Sequence, residues 1–474
     1  MRNRTKPGLG MGSIGTGAAA LAALVLVLVA GRARAEHTGR FERRVRSHFD
    51  HASVIQGPFA RPEDVTRACL GCHPAASSVM KTAHFTWLGG EVEVPGHPGK
   101  TRVGKKNLIN NFCISTVGNE KACTKCHAGY GWVDASYDFG RAENVDCLVC
   151  HEHGSGYVKG EAGMPEKSVD LLAAARSVGT PGRENCLTCH AYGGGGQAVK
   201  HGDLDSSLEH PPAGEDVHMG KHGFLCVDCH GGKDHRLRGR AFSVSVEDGE
   251  GLACTDCHTG REHRDERILT HLRSVACQTC HIPSFARRIP TKASWDWSKA
   301  GDGTRPEDPH RYLKIKGEFV YEQDAVPEYR WFDLTVNRYL LGDRIDPTQV
   351  TPINLPRGSI DEPAAKIWPF KVHRATQPYD VGNLTLLPPV TGGENGYWTN
   401  FDWDNAFRLG SKASGLPYSG RYGFTRTEMY WPLSHMVVPK EKALGCTDCH
   451  GSGTRLDWKA LGYPGDPLRT GGRN

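Results

Sequence analysis

One pentapeptide, Cys-x-x-Cys-His, occurs eight times in this chain and constrains it more than any other feature. The sequence has 474 residues and 17 cysteines, of which only Cys113 stands outside the motifs. Two thiols at this spacing can add to the two vinyl groups on one edge of a porphyrin, and the next histidine can then bind the iron. We therefore predict eight covalently attached c-type haems. The predicted attachment residues are Cys69, Cys72, Cys123, Cys126, Cys147, Cys150, Cys186, Cys189, Cys226, Cys229, Cys254, Cys257, Cys277, Cys280, Cys446 and Cys449.

The histidine that ends each motif is the predicted proximal ligand of the iron at that motif. Zinc knuckles do not require a histidine after every second cysteine, and a disulfide framework would not repeat one pentapeptide eight times. Both alternatives are therefore weak. The eight predicted proximal ligands are His73, His127, His151, His190, His230, His258, His281 and His450.

The composition indicates that side chains alone do not fill the interior. The chain has 58 Gly and 28 Pro, its hydrophobic fraction is 38%, and its mean hydropathy is −0.48. Few stretches show the apolar period of a packed helix or of a strand. We predict a mostly α fold with extensive irregular loops and little β structure, in which a multihaem cytochrome c fold packs around eight haems.

The first 35 residues have the pattern of a secretory signal. A basic start precedes an apolar run, Ala18–Ala30, and Ala33 to Ala35 supply a small-x-small cleavage site. An uncleaved anchor is the alternative, but the apolar run is shorter than the span of about 20 residues that a membrane helix needs. We predict cleavage near Ala35, a periplasmic location and no stable membrane span afterwards. The five surplus positive charges of the chain all lie in this segment, so charge gives no indication of nucleic-acid binding.

Three further regions follow the predicted signal. Residues 36–281 carry the first seven motifs, residues 282–445 carry none, and residues 446–474 carry the eighth motif and the tail. The motif-free region is rich in Trp, Pro and Gly, and we predict that it wraps the haems; a partner or substrate surface is the alternative. Within it, Tyr312 to Tyr321 alternates in part and indicates a pair of strands.

Electron-transfer haems usually have a second axial ligand, whereas a catalytic haem keeps a position for substrate. Sixteen histidines lie outside the motifs, and seven of them have a local context that favours a distal role. His153, His201 and His222 are the alternatives. Seven distal histidines for eight haems leave one haem unassigned, and a reaction is expected there. The seven predicted distal ligands are His51, His84, His218, His235, His263, His271 and His435.

Three unusual stretches carry a resemblance to a known family. They are residues 110–132, residues 199–208 and residues 429–444, and together with the eight motifs in order they resemble the octahaem tetrathionate reductases, periplasmic multihaem cytochromes. The resemblance implies that the second haem is the catalytic one and that its distal ligand is a lysine, here Lys200. A neutral amine binds iron weakly, so such a ligand can leave and admit substrate.

The same resemblance places two more residues at that haem, Asn110 and Cys113. It implies a small inorganic anion as substrate, with a redox partner cytochrome or a quinol-linked donor as the electron source. One position departs from the family pattern: Gln197 stands where the family has an aspartate, three residues before Lys200. The missing carboxylate puts tetrathionate in doubt as the physiological substrate more than it does the fold.

The sequence therefore predicts a reductase in which bis-histidine haems feed electrons to a Lys200 site that converts tetrathionate to thiosulfate. Reduction of nitrite or hydroxylamine is the alternative within the enzyme class. The alternative outside it is a multihaem electron carrier without a substrate, in which every iron would have two protein ligands.

Overall fold

The computed structural model describes residues 49–240, 251–259 and 263–473. The predicted signal peptide lies outside the described residues. Within them, no helix combines the length and the apolar character that crossing a membrane requires.

The α-helices are short, and most of the motifs lie on them. A helical turn places residues three apart on the same face, so both motif thiols can reach one edge of a porphyrin. The second and sixth motifs differ, because their cysteines extend into 3₁₀ turns. In chain order, the α-helices of the described residues are α1 Pro62–Cys72, α2 Ala83–Thr86, α3 Glu120–Cys123, α4 Leu148–His151, α5 Leu171–Arg176, α6 Arg183–His190, α7 Cys226–Cys229, α8 Glu266–His271, α9 Cys277–His281, α10 Tyr397–Asn400, α11 Trp403–Ser414, α12 Cys446–Cys449 and α13 Pro467–Thr470.

Short 3₁₀ segments and one π-helical turn connect these elements. Asp50, Asp205 and Asp296 each begin one of the 3₁₀ turns by accepting a main-chain N–H with the side chain. The 3₁₀ turns are His51–Ser53, Pro74–Lys81, Thr124–Cys126, Ala142–Asn144, Glu161–Gly163, Ser206–Leu208, Cys254–Asp256, Trp297–Lys299 and Lys440–Lys442, and a π-helical turn spans Val217–Lys221.

A nine-stranded mixed sheet dominates the motif-free region, so the prediction of a mostly α fold with little β structure is wrong. The sheet runs in the order β6-β7-β5-β11-β13-β10-β9, and β8 and β12 also pair with β11. Two small hairpins, β1–β2 and β3–β4, lie outside it. The strands are β1 Glu91–Glu93, β2 Lys100–Arg102, β3 Gly232–Lys233, β4 Arg236–Leu237, β5 Thr291–Asp296, β6 Tyr312–Leu313, β7 Gly317–Glu322, β8 Glu328–Phe332, β9 Val336–Arg338, β10 Thr351–Pro356, β11 Lys366–Asp380, β12 Thr385–Leu386 and β13 Tyr422–Pro432.

The central strand β11 explains why the sheet was not predicted. It pairs antiparallel with β13 from Phe370↔Pro432 to Asp380↔Tyr422 and parallel with β5. Both faces of β11 are largely buried, so its sequence lacks the alternation of a strand with one solvated face. It also contains Pro369, Pro378 and the buried Lys371, residue types that are rare in central strands.

The predicted strand pair within Tyr312–Tyr321 is confirmed as the hairpin β6–β7. Gly317 begins β7 with a φ of +91°, and a Cβ there would lie 2.2 Å from the Asp296 carbonyl oxygen. Only glycine fits this turn without displacing the main chain of β5.

The largest hydrophobic core lies on the face of the sheet that meets the loop around Cys113. Trp295, Phe319 and Trp431 come from three of its strands, and Phe112 and Val199 come from the haem-rich region. The hydrophobic core of the motif-free region therefore packs against the segments whose residues the resemblance assigns to the catalytic haem.

Candidate functional site

Seven of the eight motif histidines lie beside a histidine from outside the motifs, with ring centroids 6.0–6.4 Å apart. Two imidazoles that bind one metal through bonds of about 2 Å have centroids about 6 Å apart, so each pair leaves room for one iron. The outside members are the seven histidines that the sequence analysis names. The pairs are His73 and His51, His151 and His235, His190 and His84, His230 and His435, His258 and His218, His281 and His263, and His450 and His271.

Hydrogen bonds orient several of these imidazoles. The Nδ1 atoms of His151 and His230 lie 2.8 Å from the carbonyl oxygens of Gly179 and Arg238, where the N–H donates. His450 makes the corresponding bond to the Asp466 carboxylate. Each bond leaves Nε2 available to a metal, the usual way in which a protein fixes the tautomer of a histidine ligand.

His190 has two candidate partners. Its ring centroid lies 6.3 Å from that of His84 and 6.4 Å from that of His201. His201 also contacts Trp431 edge-to-face at 4.7 Å. The alternative raised for His201 in the sequence therefore concerns the fourth motif.

The motifs approach one another through their cysteines. The Cys69 side chain contacts that of Cys147, Cys126 contacts Cys189, and the Cys186 thiol contacts that of Cys226. Cys254 and Cys277 form a fourth such pair. The first and third, second and fourth, fourth and fifth, and sixth and seventh motifs are thus spatial neighbours, an order that differs from their order in the chain.

His127 of the second motif is the exception among the motif histidines. It is fully buried, and its Nε2–H donates to the Phe85 carbonyl oxygen at 2.5 Å. Among the described residues, the rings that surround it are those of Phe85, Trp87, Trp132, Tyr137 and Phe139, none of them a histidine's. Burial lowers the pKa of His127 to about 3.

Lys200 lies next to the second motif. Its side chain runs along Gly193 and Gly194, where added Cβ atoms would lie 3.0 Å from its Nζ and 2.6 Å from its Cγ. Burial, with a smaller effect from the positive charge of Lys105, lowers the pKa of Lys200 to about 8. Coulomb interactions with three cysteines oppose this lowering: Cys126 of the second motif, Cys113, and Cys189 of the fourth motif.

Cys113 lies in a tight loop that is closed by a bridge between Ile109 and Ser115. The Asn110 side-chain oxygen accepts the main-chain N–H groups of Phe112 and Cys113, at 3.1 and 2.8 Å. Burial raises the pKa of the Cys113 thiol, and nearby lysines oppose this shift. The structure therefore brings Asn110, Cys113 and Lys200 together beside the second motif.

Two lysines of the sheet complete this environment, and the sequence analysis did not identify them. Lys292 on β5 is 2% exposed, and its Nζ lies 3.5 Å from the ring centroids of both Trp295 and Phe319. Lys316, in the β6–β7 turn, donates to the Gly195 carbonyl oxygen at 3.3 Å. Both interact electrostatically with Cys113. No local pattern marks these lysines, because the fold alone brings them to the loop.

Gln197, the position that departs from the family pattern, points its amide to the Ser206 hydroxyl, to which it donates. No hydrogen bond joins it to Lys200 or Cys113 among the described residues. The site beside the second motif is consequently rich in lysine side chains, with the Gln197 amide bonded elsewhere.

A buried ion pair supports the second motif from another side. The Lys159 Nζ and the Asp146 Oδ2 lie 2.8 Å apart, and the two side chains are 2% and 0% exposed. Lys159 also donates to the His127 carbonyl oxygen and, at 3.2 Å, to that of Gly129. This network ties the loop after the second motif to the segment that precedes the third.

Comparisons with known proteins agree with the haem-binding pattern. A family profile described as "Cytochrome c bacterial" matches residues 292–453, and one described as "Cytochrome c7 and related cytochrome c" matches residues 213–282. The chain is similar to the octahaem cytochrome c of Shewanella oneidensis, known from a crystal structure: identity is 45%, coverage is 89% of this chain and 98% of that chain, and the TM-score is 0.84. It is also similar to an uncharacterised protein of Archaeoglobus fulgidus, 26% identical over 255 residues, which are 43% of this chain and 85% of that protein.

Proposed function

The chain belongs to the octahaem cytochromes c, electron-transfer proteins whose haems are bound covalently at the motifs. We propose that it is a periplasmic reductase that acts on a small inorganic anion. The proposed site is formed by Lys200, Cys113 and Asn110 beside the second motif. The proposed reaction is the two-electron cleavage of the central S–S bond of tetrathionate, which takes up two electrons and releases two thiosulfate ions.

One observation carries the proposal. Among the eight motifs, the second is the one whose histidine has no other histidine ring beside it in the described residues. Lys200 and Cys113 both lie close enough to its cysteines to interact with them electrostatically. An electron carrier would be expected to give this motif a second histidine as well. A lysine that can leave instead provides a position for substrate.

The haems, when bound, supply one-electron transfer along the chain and an iron at which substrate can be reduced. The protein's own groups select the substrate. Lys316, and Lys200 once it has left the iron, can provide positive charge around the Cys113 loop, and burial strengthens their attraction for an anion. Burial lowers the pKa of Lys292 to about 6, so this amine becomes a cation when a bound anion favours its protonated form. The Asn110 carboxamide keeps that loop in place. These groups favour an oxyanion over neutral hydroxylamine.

The test is oxidation of reduced viologen by the purified haem-loaded protein, with tetrathionate, nitrite and hydroxylamine offered separately. We expect turnover with tetrathionate that falls at least tenfold in Lys200→His, because an imidazole is a tighter sixth ligand. Lys412→Met, at an exposed position on α11, is the matched control and should keep wild-type rates.

A second variant tests the anion preference. Lys292→Met should raise KM for tetrathionate about tenfold, which corresponds to about 1.4 kcal/mol of binding, and should leave KM for hydroxylamine unchanged. Turnover with nitrite or hydroxylamine but not with tetrathionate would assign the protein a nitrogen compound as its substrate. Absence of turnover with all three would contradict the reductase and leave an electron carrier.

A further inference from the structure

Lys371 on β11 bonds to the main chain at Lys200. Its side chain is buried, with 1% of the residue exposed, and its Nζ donates to the carbonyl oxygens of Val199 and Lys200, both at 2.9 Å. The third donor goes to the Thr291 hydroxyl at 2.5 Å. An ammonium group has three N–H donors, so this arrangement uses all of them.

These acceptors are unusual for a buried ammonium group. A charge removed from water normally needs an opposite charge as well as hydrogen bonds. Within the described part of the chain, none of the ion pairs includes Lys371. The central strand of the sheet therefore carries a buried amine whose hydrogen bonds go to two main-chain carbonyls and one hydroxyl.

Thr291 extends the same contact to the residues before Lys200. Its hydroxyl donates to the Ala198 carbonyl oxygen at 2.6 Å. Val199, which lies between Ala198 and Lys200 in the sequence, is fully buried. Further back, Gly194 to Gly196 all have positive φ and no side chains to anchor them. The main chain at Lys200 is consequently held from the sheet side, by β5 and β11.

We propose that Lys371 is a positioning residue that holds the Lys200 main chain at the distance from which its amine reaches the second motif. The inference rests on the proposed role of Lys200 as a ligand. Ligands and the groups that orient them need placement to within about 0.5 Å, which one side chain bonded to two successive carbonyls can provide. Loss of this contact should make the amine a weaker ligand without removing it.

The test compares Lys371→Met with Lys371→Arg and with Lys366→Met, which makes the same substitution at the half-buried start of β11. Near-infrared magnetic circular dichroism identifies a histidine–lysine pair on a haem, and cyanide binding measures how readily the amine leaves. In Lys371→Met we expect a reduced but detectable lysine signal and cyanide binding at least tenfold faster, since removal of groups that orient ligands costs about 10- to 100-fold. Lys371→Arg should restore much of the signal, and Lys366→Met should match wild type.

A milder variant guards against misfolding of Lys371→Met. Thr291→Val keeps the shape of the side chain and removes the hydroxyl's bonds to Lys371, Ala198 and His201, so it should shift the signal and the cyanide rate in the same direction. A lysine signal in wild type that disappears in Lys200→Met yet keeps its full strength in Lys371→Met and Thr291→Val would overturn the inference alone. A wild-type protein without any lysine signal would overturn the proposed role of Lys200 together with it.

Discussion

Asn110 is the residue on which the geometry of the Cys113 loop depends most directly. Its side-chain oxygen accepts the N–H groups of Phe112 and Cys113, and Phe112 is 1% exposed. In Asn110→Ala both donors lose their partner, at a cost of about 1–3 kcal/mol for each buried group left unsatisfied. We expect a lower thermal midpoint and faster alkylation of Cys113 by iodoacetamide.

Asn110→Asp is the matched control, because a carboxylate oxygen can accept the same two bonds. It should keep the slow alkylation of wild type and lose turnover with an anionic substrate through like-charge repulsion. Equal alkylation rates in wild type and Asn110→Ala would show that the carboxamide does not hold the loop.

At the scale of single residues, those that lie in or near a motif in the sequence could be predicted, and those that only the fold brings to the site could not. Attachment cysteines and motif histidines follow from a local pattern, and the seven histidines that lie beside them in the fold could be selected by their position near the motifs. Lys292 and Lys371 could not be identified in this way. Each is an ordinary lysine until strands distant in sequence bring it under the Cys113 loop or the Lys200 main chain.

At the scale of elements, the Lys159–Asp146 pair joins the two segments that flank the third motif, and Lys159 also bonds to the loop after the second. Asp146 also accepts hydrogen bonds from the hydroxyls of Tyr130 and Tyr157, both at 3.0 Å. Lys159→Met would leave a buried carboxylate without its cation, and breaking such a pair costs about 3–5 kcal/mol. We expect a clear fall in the thermal midpoint of the haem-loaded protein.

The double variant Lys159→Met with Asp146→Asn is the control for that change. It removes both charges and keeps hydrogen-bonding groups for the two tyrosines, so it should recover part of the lost stability. A midpoint that stays at the wild-type value in Lys159→Met would mean that water or a local shift compensates the carboxylate.

The sheet shows why a strand is hard to predict when the partners of its residues lie far away in sequence. Lys371 and His373 look out of place in a central strand, yet in the fold the Lys371 amine meets three acceptors and the His373 ring nitrogen Nδ1 lies 3.0 Å from the Asn111 side-chain oxygen. These partners lie far away in sequence. The β6–β7 hairpin was predictable because its alternation and its glycine turn are local.

At the scale of the whole molecule, the seven histidine pairs and the one unpaired motif predict how many sites an external ligand can reach. An iron between two imidazoles has no open position, whereas a lysine ligand can be displaced. We therefore expect cyanide to saturate the fully haem-loaded protein at one equivalent per chain, measured by optical titration against a haem count from intact mass. Saturation near zero would indicate an electron carrier in which every haem iron has two protein ligands. Saturation above one equivalent would show that at least one histidine pair does not supply both ligands of its iron.

The same titration separates the two candidate partners of His190. His84→Ala should open a second position and raise saturation to two equivalents, while His201→Ala should remain at one, because we assign His84 to the fourth motif. The opposite result would assign His201 instead of His84 as the distal ligand at the fourth motif, and the total would remain seven pairs. Two equivalents in both variants would mean that neither assignment holds the iron alone, and the spacing of 6.3 Å against 6.4 Å would then have no value for choosing a ligand.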